Sequence, residues 1–100
     1  MALKVYFRLL WEKRKLEILK YIKDSLDEDK PVVMKELAKR FSERWGESRS
    51  KIMDYIQNLQ IDGAIRINQQ GEIAYTKKGE RMLKKQAYFD YTLSNIHPDA

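Results

Sequence analysis

The chain predicts a mainly α-helical domain that carries one small β-hairpin. Three observations predict it. Apolar residues recur at helical spacing in four stretches separated by loop chemistry. Two short runs on either side of Gly71 alternate apolar and polar residues, as half-buried strands do. Gly46, Ser48 and Gly63 stand at the ends of helical stretches, where stop and start signals belong.

The first stretch has no Gly or Pro between Met1 and Lys30. Leu3, Phe7, Leu10, Ile18 and Tyr21 lie near one helical face. Leu16, Leu19, Ile22 and Leu26 form a second, overlapping one. The stripe drifts around "WEKRK", so either one long helix shows two faces to two neighbours or a short helix precedes a standard one. "DSLDEDKP" ends it with acids and Pro31. "PVV" then reads as a short β-branched strand. "MKELAKRFSERW" follows as a second amphipathic helix, with Leu37, Ala38, Phe41 and Trp45 on its buried side and Gly46 as its stop. Ser48 is a good N-cap for a third helix, which buries Ile52, Ile56 and Leu59 and stops at Gly63. "AIRIN" and "EIAYT" flank "QQG" as a hairpin. Thr76 is a plausible N-cap for a last helix, "KKGERMLKKQAYFDYTLSNI", with Met82, Phe89, Leu93 and Ile96 on one face and Leu83, Ala87 and Tyr91 on a second. His97 and Pro98 close it.

The composition narrows the function classes. A net charge of +5 suits a polyanionic partner, although 15 acids temper the 20 cations. The absence of cysteine removes disulfides, thiolate chemistry and Cys-based metal sites. Lys4 and Arg8 interrupt the apolar N-terminus and no small-residue cleavage site follows, which argues against a signal peptide. No segment has the apolar length of a membrane span. The expectation is a cytoplasmic protein; a Lys/Glu-rich, cysteine-free composition is also compatible with an archaeal source. Enzyme readings fail on inventory. His97 is the only histidine, the four glycines are too scattered for a phosphate-cradling loop, and no Ser–His–Asp or metal spacing occurs. No cofactor, metal or small-molecule ligand is implied.

The order of helix, short strand, helix, helix, hairpin and helix resembles the winged helix-turn-helix family of small archaeal and bacterial transcriptional regulators. "LEILKYI" looks like its first core helix and "KELAKRF" like the first helix of the helix-turn-helix. "SRSKIMDYIQNLQIDGAIRI" resembles the recognition helix and first wing strand, with Ile56, Leu59, Gly63 and Ile65 in the family's spacing. "YTKKGERML" is similar to the "L-T-x-K-G" segment that leaves the wing. The resemblance covers residues 15-83 as a winged-helix core, within one domain over 1-100 that adds a helical extension at 1-14 and a C-terminal helix and tail at 84-100. One departure is that the stretch between Leu37 and Ile52 is longer by about four residues, close to one helical turn. "SERW" either lengthens the second helix in phase or lengthens the turn.

The resemblance implies binding to double-stranded DNA, with helix 48-62 in the major groove and wing 64-76 near the backbone. Arg49, Ser50, Lys51, Gln57 and Asn58 are the candidates for base and nearby phosphate contact. Asp54 on the same face either accepts from a cytosine amino group or orients Lys51 or Asn58 along the helix. Arg66, Gln69, Gln70, Lys77 and Lys78 are the wing and phosphate candidates, against a plain solvent hairpin. Lys77 and Lys78 oppose the dipole at a helix N-terminus, which hints at an anionic neighbour; solubility is the bland alternative. Tyr6 and the aromatic residues of the terminal helices read as core or interface rather than base-stacking groups. The family commonly dimerises through such helices, so Leu3, Phe7, Leu10, Trp11, Tyr88, Phe89, Tyr91 and Leu93 are the expected homodimer interface. The competing class is a protein-interaction module that uses the same fold without DNA.

Overall fold

The structure, a computed structural model, describes residues 2–85, with side chains in the first helix from Leu9 onward. Among these residues it is mainly helical, with four helices and a two-stranded antiparallel hairpin, a layout compatible with a winged helix. The helices are α1 (Ala2–Asp27), α2 (Met34–Trp45), α3 (Arg49–Ile61) and α4, helical from 77 to 85. The strands are β1 (Ile65–Ile67) and β2 (Ile73–Tyr75).

The drifting stripe of the first stretch resolves into one continuous helix. Ile18, Leu19 and Ile22 of α1 are fully buried, while Trp11, Leu16, Tyr21 and Leu26 pack around the edge of the core. The helix closes on Asp29, whose φ of 59° is left-handed. Lys30 N–H then donates to the Ser25 carbonyl and Asp29 N–H to that of Leu26. An aspartate reaches this conformation more readily than most residues.

The additional turn of "SERW" lies in α2, not in the connection, which is only Gly46 to Ser48. Four residues make slightly more than one turn, so Trp45 stays nearly in phase with Phe41 and their rings meet at 4.7 Å. Gly46 ends α2 at φ 64° and Gly63 ends α3 at φ 80°, where a side chain would cost about 1–2 kcal/mol. Ser48 caps α3 by accepting from Lys51 N–H at 3.2 Å.

The hairpin pairs Ile65 with Tyr75, Arg66 with Ala74 and Ile67 with Ile73. Ile65 and Ile73 point into the core and Arg66 and Ala74 away from it. The expected strand at "PVV" reduces to a single bridge, Val33 to Glu72, on the edge of β2. Val32, Leu37, Ala38, Phe41, Ile52, Ile56, Leu59 and Ala64 complete the core, together with Tyr55, which the apolar pattern of α3 does not single out. Each fully buried aliphatic side chain contributes about 1.5–3 kcal/mol.

Of the last helix, residues beyond 85 lie outside the described residues. Its start is anchored. The Thr76 hydroxyl faces the carbonyls of Gly63 and Ala64 at 2.7 and 2.9 Å and accepts from Gly79 N–H at 3.1 Å. Thr76 therefore caps α4 as expected and also ties it to the end of α3.

Candidate nucleic-acid interface

The buried line Ile52, Tyr55, Ile56 and Leu59 fixes which side of α3 faces away from the core. At 3.6 residues per turn, the centre of the opposite side is Ser50, Asp54, Gln57 and Ile61. All four are exposed, as are Arg49, Lys51, Met53 and Gln60 on the flanks. Ile61 is 79% exposed and Met53 40%.

Not every candidate is equally available. Asn58 is half-buried and its side-chain amide donates to the Asp54 carbonyl at 3.0 Å. The Lys51 ammonium lies 5.7 Å from the centroid of the Trp11 ring, a cation–π contact with α1. The orienting role expected of Asp54 is thus not formed. Asn58 bonds the backbone instead, and the Asp54 carboxylate makes no hydrogen bond or ion pair among the described residues.

Two adjacent cations of α1 hold α3 by its ends. The Arg14 guanidinium bonds the Glu47 carboxylate just before the Ser48 cap, lies 3.5 Å from the Tyr55 hydroxyl and stacks 4.9 Å from the Trp45 ring. Its pKa is raised, first through Tyr55 and then through Glu47, against the effect of burial. Lys15, nearly inaccessible, donates to Asp62 at the C-terminal end of α3 at 2.7 Å. A buried lysine requires such a partner. Trp11 packs on Tyr55 at 4.2 Å between these anchors. Arg14, Lys15 and Tyr55 escape a reading by residue type. One signal was present: Lys15 stands at i−4 and i−7 from the buried Leu19 and Ile22, a charge on a core line.

The hairpin turn is organised by Asn68. Its side-chain oxygen accepts from Gln70 and Glu72 N–H at 3.0 and 2.9 Å, and its amide donates to the Glu72 carboxylate at 2.9 Å. Gly71, at φ 80°, closes the five-residue connection 68–72 between the strands. Gln69 and Gln70 are exposed at the tip, with Arg66 exposed on β1.

Lys77 and Lys78 are exposed at the start of α4. Lys78 has a local reason for its position. Its side chain runs along Gly63, 3.4 Å from where a Cβ would stand, and so brings its charge to the negative end of the α3 dipole. That end lies roughly 20 Å from Arg49 along the helix. Lys78 therefore stands at the opposite end of α3 from Arg49. In the remainder of the cluster, Arg81 and Lys85 are exposed and Lys84 pairs with Glu80 at 3.3 Å.

Of the expected dimer residues, Leu10 and Trp11 are half-buried, and Trp11 spends a ring face inside its own chain. Leu9, not among them, is 65% exposed. The side chains of Leu3, Tyr6 and Phe7, and Tyr88, Phe89, Tyr91 and Leu93, lie outside the described residues, as does His97. A separate groove of about 660 Å³ between α2 and residues 31–33 is lined by Glu36, Glu43, Lys39, Arg40 and Arg44. Its mixed charge favours neither sign of ligand. Among the described residues no group of three His, Asp or Glu side chains is placed to hold a metal ion, and no helix is long and apolar enough to cross a membrane. The chain matches no family model, no curated protein and no solved structure.

Proposed function

We propose that the chain is a winged helix-turn-helix protein that binds double-stranded DNA as a homodimer, without catalysis or cofactor, and regulates transcription. One observation carries the reading. Helix α3 is fixed at both ends by Arg14 and Lys15, yet its outer face packs on nothing among the described residues. A rigid helix with a free polar face suits insertion into a major groove. Arg49 and Ser50 at its start, and Gln57 about two turns further along the outer face, are the base-reading and phosphate-binding groups. Lys51 serves the nearby phosphate, Asn58 supports the helix backbone, and Arg66, Gln69 and Gln70 meet the DNA backbone from the wing. Lys77 and Lys78 add charge at the far end. Dimerisation through the terminal helices sets two α3 helices about one DNA turn apart, ~34 Å.

A second reading, a protein-docking module, is favoured by the exposed Met53 and Ile61, the acid between them and a wing tip without a cation. Duplex affinity measured from low to moderate salt separates the two. The DNA reading expects a log–log slope of about −0.9 per phosphate contact, flattened when Lys77 and Lys78 are both replaced by Ala. No detectable duplex binding at low salt refutes it.

A further inference from the structure

Ser50, Asp54, Gln57 and Ile61 form the central line of the outer face of α3, and Asp54 is the one charge on that line. Arg49 and Lys51 stand on its two edges, roughly a quarter turn away. The Asp54 carboxylate is exposed and makes no hydrogen bond or ion pair among the described residues, so its acceptor capacity is uncommitted. In free solution this costs nothing. In a groove walled by phosphates the carboxylate loses water and meets like charge, so the helix seats only where a base edge offers it a donor.

The major groove offers two such donors, the amino groups of cytosine and adenine. Adenine places its N7 lone pair beside the amino group. An amide side chain satisfies both, whereas a carboxylate accepts from the amino group and is repelled by N7. Cytosine has a carbon–hydrogen edge in that place. We infer that Asp54 makes α3 selective for a cytosine, by accepting from its amino group and excluding the other three bases at that position. The inference rests on the DNA-binding reading above. It turns the acid from an obstacle into a filter: the same charge that weakens binding to most sequences is offset at one.

Selection of the full chain against a randomised duplex library tests it, with Asp54→Asn and Asp54→Ala selected in parallel. The side chain is exposed and makes no bond among the described residues, so neither variant should unfold below the wild-type temperature. The wild type should enrich a site with one C·G pair whose replacement weakens binding at least about fivefold. Asp54→Asn should move the preference at that position toward A·T. Asp54→Ala should erase it there alone and tighten binding to unrelated duplex. Variants that keep the wild-type preference at every position overturn the inference and leave DNA binding standing. So does a wild type that binds duplex without base preference. A wild type that binds no duplex overturns both.

Discussion

Replacing Gly79 by Ala opposes two effects of known sign. Gly79 is the third residue of α4 and has an ordinary helical backbone, so helix propensity alone favours the alanine by up to about 1 kcal/mol. A Cβ there, however, would stand 2.4 Å from the Ala64 carbonyl oxygen and 3.1 Å from Tyr75 Cε2. A carbon–oxygen contact needs about 3.3 Å, so the start of α4 must retreat by roughly 0.9 Å. The Thr76 hydroxyl proton, which faces the Gly63 and Ala64 carbonyls at 2.7 and 2.9 Å, is then carried beyond useful range of both. Overpacking costs about 1–3 kcal/mol and the one lost neutral hydrogen bond about 0.5–1.5. The net expectation is a loss of about 2 kcal/mol, or roughly 8–16 °C in Tm for a domain of this size. Gly46→Ala is the internal control. It places a side chain at φ 64° with no atom of the described residues within 4 Å, so only the backbone cost of about 1–2 kcal/mol applies. Thermal and urea unfolding of both variants ranks them. A Gly79→Ala variant as stable as wild type, or more stable than the Gly46→Ala variant, refutes the steric account.

Two further substitutions probe the anchors. Arg14→Met strips Glu47 of its partner in a half-buried site and should cost about 1.5–3 kcal/mol in urea unfolding, whereas Lys23→Met, at the exposed pair with Asp27, should leave the midpoint unchanged. Equal effects would remove the clamp. Among the described residues the Tyr75 hydroxyl is buried without a partner, and its pKa is raised chiefly by burial, then by Glu80. The folded state keeps this proton above the unfolded pKa of about 10, so the stability it confers is present below that pH and lost as pH rises through the folded value. Tyr75→Phe should be neutral or stabilising near pH 7, and unfolding measured at about pH 8 and about pH 11 should show a smaller loss for it than for wild type.

The elements were legible because periodicity and caps are local. Ser48, Gly46, Gly63 and Thr76 act where their chemistry placed them, and Ile52, Ile56 and Leu59 decide which way α3 faces. Whether α1 was one helix or two was not legible, since two stripes on one helix look like two helices until both neighbours are known. The turn at Asp29 was hidden because the left-handed residue there is not glycine. Within the candidate site, exposure of Arg49, Ser50 and Gln57 followed from the helical period. What each flanking side chain touches did not. Lys51 meets Trp11 and Lys78 meets Gly63 across 40 and 15 residues, and "TKKG" revealed its glycine as a motif but not as a steric need. Such contacts belong to tertiary packing, which local spacing does not encode.

The clamp on α3 also acts on α1. Arg14 and Lys15 leave α1 about 100° apart and reach toward opposite ends of one crossing helix. A single tether would let α1 roll about its own axis; two divergent ones work as opposed stays, and any roll that slackens one tightens the other. The azimuth of α1 is thereby registered to α3. Because α1 is unbroken from Ala2 to Asp27, that angular register is carried along its backbone to its first turn. Whatever engages the N-terminal end of α1 meets it at an orientation already keyed to the outer face of α3, and a torque applied there is delivered to both ends of α3 at once.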